Sequence, residues 1–164
     1  MTSIAWHELT HASQLQRMKG EKNLVWASSH WSKVVYQQAK NELSAGSPYG
    51  KKGDDNWQII ALAEGWANYR QWYLSKKYLG YNDLGSYYDH VTNKNVDRYF
   101  DDYKNSNIAV YYGGLFDKLN KIGCSFQNLE KSLCAKSISE FKANIIAKYP
   151  TKKDQVNNIM KSYE

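Results

Sequence analysis

The chain has 164 residues, of which 42% are hydrophobic and 23% charged, and its formal net charge is +6 at pH 7. This length favours one domain with a substantial core, and the lack of a long apolar run argues against a membrane span. The lysines are scattered among acidic residues without a long basic block. This pattern indicates a solvated surface and no nucleic-acid partner.

The first predicted helix covers residues 3–18 and contains the run HELTH at positions 7–11. On a helix, His7 and His11 lie one turn apart on the same face and can aim their rings at one point. Two neutral imidazoles in this arrangement suit a zinc ion, which binds nitrogen at about 2.0–2.1 Å. Glu8 lies at the edge of that face, where a carboxylate can act as general base on a zinc-bound water. A surface pair, or two hydrogen-bonded core histidines, would have the same spacing.

Apolar residues on this helix predict the side that packs into the core, namely Ile4, Ala5, Leu9, Ala12 and Leu15. Gly20 is expected to end the helix. A second amphipathic helix is predicted over residues 29–44, with Ser28 or Ser29 as its N-cap. His30 opens it and is interpreted as a capping or surface histidine. Residues 44–55 combine Gly, Pro, Ser and charge, which predicts a loop.

The longest helical pattern runs from Trp57 to Tyr78, and Glu64 lies in its apolar middle. A buried carboxylate is costly unless a cation compensates its charge. A zinc ion held by the two histidines would do so; an ion pair with Arg70 or a lysine is the alternative, although Arg70 lies on another face. Gly65 would allow the two motif helices to approach closely. Asn68, one turn after Glu64, could orient a ligating histidine.

HELTH followed by AEGWANY resembles the gluzincin group of zinc metallopeptidases. The resemblance implies that His7, His11 and Glu64 bind Zn²⁺, that Glu8 is the general base, and that the substrate is a peptide or protein. It also implies a helical zincin-like catalytic subdomain. Because the motif begins at the extreme N-terminus with no signal peptide before it, we expect a fragment that lacks an N-terminal sheet. The compartment and the oligomeric state do not follow from the sequence.

Residues 81–104 are rich in tyrosine, and two short helices are predicted there, over 83–90 and from about 95 to 104. His90 is interpreted as a surface or packing histidine. The next stretch, 107–123, is similar to the tyrosine-bearing helix of gluzincin aminopeptidases. That resemblance implies that Tyr111, or its neighbour Tyr112, donates a hydrogen bond to the developing oxyanion. Two aromatic residues that pack at a helix start would give the same pattern.

The C-terminal part predicts short helices, with Gly123 ending one helix and three N-caps beginning others: Ser125, Ser137 and Thr151. Apolar residues at helical spacing predict the core there, namely Phe126, Leu129, Leu133, Ile138, Phe141, Ile145, Ile146, Val156, Ile159 and Met160. Cys124 and Cys134 are either two buried thiols or one disulfide.

These patterns together predict a single all-α domain over 1–164, with the metal-binding helices in 1–80 and a further helical part in 81–164. The favoured function is a zinc-dependent metallopeptidase. The alternatives are a noncatalytic helical module that binds protein or glycan, and an inactive fragment of a larger zinc peptidase.

Overall fold

The computed structural model describes residues 3–45, 48–50, 52–79 and 100–164. In these ranges the chain forms two 3₁₀ turns, Asp101–Tyr103 and Pro150–Lys152, and no strand. Its α-helices are α1 (Ser3–Glu21), α2 (Leu24–Ala45), α3 (Trp57–Leu79), α4 (Ile108–Lys121), α5 (Phe126–Ser132), α6 (Ile138–Lys148) and α7 (Lys153–Met160). The all-α prediction is therefore confirmed. Each helix in the described ranges is too short or too polar to cross a bilayer.

Helix α3 is the element on which the others pack, most extensively α4 and then α1. Every residue from 59 to 69 is buried. A segment with apolar residues on nearly all sides is stable as a helix only inside a core. The helix predicted from Trp57 to Tyr78 is confirmed, and it ends one residue later, at Leu79. The consequence for the site is that Glu64 is only 4% exposed.

Helix α1 packs on α3 through an inner face that is largely polar, formed by Thr10, Gln14 and Met18, which are 5%, 0% and 1% exposed. The prediction that its apolar side enters the core is wrong for Ile4, Leu9 and Leu15, which are 41–54% exposed, and for Ala12, which is also exposed. The polar face can be buried because its groups find hydrogen-bond partners inside the protein. Helix α1 also continues past Gly20 to Glu21, since Gly20 lacks the positive φ of a helix-ending glycine.

Helix α2 begins at Leu24, four residues before the predicted Ser28. The side chain of Asn23 accepts a hydrogen bond of 2.8 Å from the Trp26 backbone N–H, and so Asn23 provides the cap. His30 therefore lies inside the helix and is 6% exposed, which corrects its interpretation as a capping or surface residue. Its ring stacks on that of Trp26, with the ring centroids 4.8 Å apart.

The C-terminal helices follow the predicted pattern closely. Ser125 and Ser137 cap α5 and α6, and Gly123, at φ 87°, follows the end of α4. Thr151 is not a cap, because a 3₁₀ turn precedes α7 and Lys152 is its N-terminal neighbour. Seven of the predicted core residues are buried, with Phe126, Ile146 and Ile159 partly buried against them.

The structure describes the two cysteines, but it describes few of the residues in the predicted helices between 83 and 104. The cysteines Cys124 and Cys134 are free, buried thiols and not a disulfide. The helices predicted over 83–90 and from about 95, together with His90, lie largely or wholly outside the described residues.

Gly65 permits a close helix approach, but the helix that approaches is α4 and not α1. A methyl group added at Gly65 would lie 2.6 Å from Cβ and 2.9 Å from the carbonyl carbon of Tyr112. The Gly65→Ala variant is therefore expected to lose about 1–3 kcal/mol of unfolding free energy, the usual cost of overpacking. Urea denaturation of this variant and the wild type measures the difference.

Gly20→Ala is the matched control, because a methyl group there meets no atom within 4 Å. We expect it to be neutral or to stabilise the protein by up to about 1 kcal/mol, since alanine favours the helix. Equal destabilisation by both substitutions would contradict the close packing at Gly65.

Candidate metal centre

Three side chains from two helices converge at the contact between α1 and α3. The Nε2 atoms of His7 and His11 lie 3.0 Å apart. Glu64 Oε2 lies 3.2 Å from His7 Nε2, and Glu64 Oε1 lies 3.4 Å from His11 Nε2. The structure thus brings together the three residues that were predicted as ligands, although His7 and Glu64 are 57 positions apart in sequence.

These distances suit a tetrahedral metal ion. With ligand bonds of about 2.0–2.1 Å, the edge between two ligand atoms in a tetrahedron is about 3.3 Å. The separation of 3.0 Å between the two Nε2 atoms is close to that value. Each histidine also has one oxygen of Glu64 nearby, Oε2 for His7 and Oε1 for His11, and one ligand atom from each of the three residues lies within 4.8 Å of the other two. Two imidazoles and one carboxylate are also a donor set that catalytic zinc sites use, with a fourth position left for water or substrate.

Exposure of the ligands differs in a way that leaves one side of the cluster open. The side chain of Glu64 is 5% exposed, whereas those of His7 and His11 are 14% and 17% exposed. The carboxylate is therefore the inner wall of the site, and solvent can reach the histidine side.

The charge of Glu64 dominates the electrostatics. Burial raises the pKa of Glu64, but hydrogen bonds and charges from His11 and His7 outweigh burial and lower it to about 2. Burial likewise lowers the pKa of His11, but the hydrogen bond and charge of Glu64 outweigh burial and raise it. The cluster therefore contains a buried anion at neutral pH, which favours a cation at its centre.

Gln14 orients His11 and also ties the two ligand helices together. Its Oε1 lies 3.0 Å from His11 Nδ1, and its Nε2 donates to the backbone carbonyl of Ala63 over 2.9 Å. Because the amide nitrogen is engaged with Ala63, the amide oxygen accepts the proton of His11 Nδ1. This tautomer leaves the lone pair of His11 Nε2 free for a metal.

Asn68 does not have the predicted orienting role. Its Nδ2 donates to the backbone carbonyl of Glu64 over 2.9 Å, within α3, and so it braces the helix backbone and not a histidine. Gln14 was missed because its position three residues after His11 is as common among packing residues as among orienting ones.

Helix α2, for which the sequence predicted no role in the site, also contributes to it. Gln38 Nε2 donates to Glu64 Oε1 over 2.8 Å, and this is the oxygen that also lies 3.4 Å from His11 Nε2. Trp31 packs edge-on against the ring of His11, with centroids 5.3 Å apart. Neither residue has a sequence signal, since their roles depend on how α2 docks.

The Gln14→Met variant is expected to weaken zinc binding by about 10–100-fold, the usual effect of losing a partner behind a metal ligand. Methionine keeps the length of the side chain but cannot accept from His11 or donate to the buried carbonyl of Ala63. Competition with a chromophoric chelator measures the affinity. Gln16→Met, an exposed change on the same helix, is the control and should bind zinc like the wild type. Equal affinities of the two variants would contradict the orienting role.

Glu8 lies outside the ligand cluster, as its predicted role requires. Its side chain is exposed, and within the described ranges it forms no hydrogen bond or ion pair. Its charge contributes to the raised pKa of His11, so the carboxylate acts on this site through its charge. A carboxylate that is not engaged elsewhere suits the predicted role of a general base.

The structure does not bring Tyr111 and Tyr112 to the metal centre. The hydroxyl of Tyr111 donates to the backbone carbonyl of Ser162 over 2.8 Å, and that of Tyr112 donates to the carbonyl of Tyr163. Burial raises the pKa of both side chains, so both remain protonated donors to these carbonyls. Both hydroxyls are thus engaged with carbonyl groups of residues 162 and 163, and the structure gives their predicted role as oxyanion donors no support.

Comparison of the chain with protein-family models, with curated proteins and with solved structures finds no match. The case for a metal centre therefore rests on the convergence of His7, His11 and Glu64. Groups of this kind also occur without a metal, as two histidines that share a buried carboxylate. The two cases differ in metal affinity, which is measurable.

Proposed function

We propose that the chain is the catalytic region of a zinc-dependent metallopeptidase, with His7, His11 and Glu64 as metal ligands. The observation that carries the proposal is the convergence of the three side chains, whose ligand atoms lie within 4.8 Å of one another, with the two Nε2 atoms 3.0 Å apart. The resemblance of HELTH and AEGWANY to gluzincins supports peptide as the substrate class. The solvent-facing side of the two histidines supplies the open position that a hydrolase needs.

Each group has a separate role in the proposed reaction. A bound zinc ion supplies Lewis acidity, which makes a water molecule more acidic and polarises a carbonyl group. Glu8 accepts the proton of the attacking water and returns it to the leaving amine. Gln14 and Gln38 keep His11 and Glu64 in their ligating orientations.

Metal analysis together with a peptide-cleavage assay tests the proposal. The chain, purified without chelator, is expected to contain about one zinc per molecule and to hydrolyse an unstructured fluorogenic peptide. Absence of stoichiometric zinc would contradict the metal centre and favour a binding module. Zinc without hydrolysis would contradict catalysis by this chain while leaving the metal centre intact.

A further inference from the structure

A cavity of about 600 Å³ lies between the start of α2, the residue before α3 and the segment before α6. Its volume is within the range of about 300–1,000 Å³ that is typical of small-molecule sites. Its walls are partly apolar and partly basic, and include Val25, Trp26, His30, Lys33, Ile59 and Lys136. Nothing in the proposed zinc chemistry uses these residues.

His30 is the buried polar group of this cavity. It is 6% exposed, and one face of its ring stacks on Trp26. Within the described ranges, no protein group forms a hydrogen bond with the ring. The nitrogen atoms of His30 are not among the buried polar side-chain atoms that lack a partner, so they are open to the cavity and not sealed in the core. The nitrogen atoms therefore remain available to a molecule in the cavity.

Two cations flank this histidine. Neither Lys33 nor Lys136 forms an ion pair with any residue that the structure describes. Burial and the charge of Lys33, with a further contribution from Lys136, lower the pKa of His30 to about 4. The ring is thus neutral at pH 7 and can donate one N–H. Glu140 acts in the opposite direction, but its carboxylate already accepts a 2.7 Å hydrogen bond from the backbone N–H of Lys136.

The N-termini of α2 and α3 add to the positive electrostatic potential of the cavity. The cavity is bordered by the first turn of α2 and by Asn56, the residue before α3, so it lies beside the N-termini of two long helices. Helix N-termini favour anions, particularly where lysines and an N–H donor are also present. The lining also includes the apolar side chains of Val25 and Ile59, and Val25 is 79% exposed.

We propose that this cavity binds a small organic anion, namely a carboxylate joined to an apolar body. The carboxylate accepts hydrogen bonds from His30 and the two lysines, and the apolar body lies against Val25, Trp26 and Ile59. An inorganic anion would leave the apolar wall without a partner, and a neutral molecule would leave the lysines without one. The site is independent of the metal ligands.

Calorimetric titration of the full chain with benzoate tests the proposal, with benzamide as the neutral analogue and inorganic phosphate as the anion without an apolar body. We expect saturable 1:1 binding of benzoate, and binding of benzamide and phosphate that is weaker by about tenfold or more, as for loss of one charge-assisted hydrogen bond. Ring signals of His30 and Trp26 should shift on addition of benzoate in NMR spectra.

Lys33→Met is expected to weaken benzoate binding by about tenfold, whereas Lys19→Met, an exposed change of the same charge on α1, should leave it unchanged. His7→Ala should also leave it unchanged, so that failure of the metal centre and failure of this site are distinguishable. The proposal is overturned if benzoate does not saturate, if benzamide or phosphate binds as tightly, or if both lysine variants weaken binding equally.

Discussion

Replacing Glu8 with glutamine is expected to lower kcat/KM for peptide hydrolysis by roughly 10²–10⁴-fold, the contribution typical of a positioned general base. Glutamine has the same shape but cannot take up the proton of the attacking water. Zinc content should stay at about one per chain, because Glu8 is exposed and lies outside the ligand cluster. Thermal stability should also be unchanged, since surface substitutions of this kind have small effects.

Glu42→Gln is the matched control, because Glu42 is an exposed carboxylate on α2 that forms no ion pair within the described ranges. It should retain full activity and full zinc content. Full activity of Glu8→Gln would exclude Glu8 as the base. Loss of zinc from Glu8→Gln would instead make Glu8 a ligand, which conflicts with its position in the structure.

The local parts of the site could be predicted because they depend only on helix geometry. Spacing by four residues places His7 and His11 on one face in any α-helix. Glu64 could be predicted because an acidic residue inside an apolar helix requires a cation. In both cases the residues close by in the sequence are sufficient for the prediction.

The orientation of α1 could not be predicted from its apolar residues. Leu9 and Leu15 supply the hydrophobic pattern, yet Thr10 and Gln14 are buried in their place. The exchange is possible because α3 offers hydrogen-bond partners to the polar face, including the carbonyl of Ala63. Which face is buried depends on the helix it meets, and the sequence of α1 does not contain that information.

The contacts of the two tyrosines could not be predicted either, because their partners are far away in the sequence. The resemblance to gluzincin aminopeptidases implies an oxyanion donor at Tyr111 or its neighbour Tyr112, but their hydroxyls bind carbonyl groups of Ser162 and Tyr163. Those partners are 51 residues away in sequence. Gln38, 26 residues from Glu64, is a comparable case at the metal centre. Contacts of this range follow from helix docking and not from motif spacing.

The largest expected effect on stability comes from the metal itself. A ligand that binds only the folded state raises the unfolding free energy by about 2.7 kcal/mol when its free concentration is 100 times its dissociation constant. Zinc at that excess should therefore raise the unfolding free energy of the chain by about this amount, and a chelator should remove the increase. Glu64→Gln is expected to abolish the increase, because the amide keeps the shape of the side chain but not the buried charge that favours the cation.

Glu130→Gln is a control matched for burial. Glu130 is 9% exposed and accepts hydrogen bonds from Ser13 Oγ and Trp66 Nε1, outside the metal cluster. This substitution should lower the stability of the metal-free protein and still leave the increase on zinc addition at its wild-type size. A zinc-dependent increase that survives in Glu64→Gln would mean that the stabilising ion binds elsewhere. The difference between the two variants thus separates a buried carboxylate that binds metal from one that only packs.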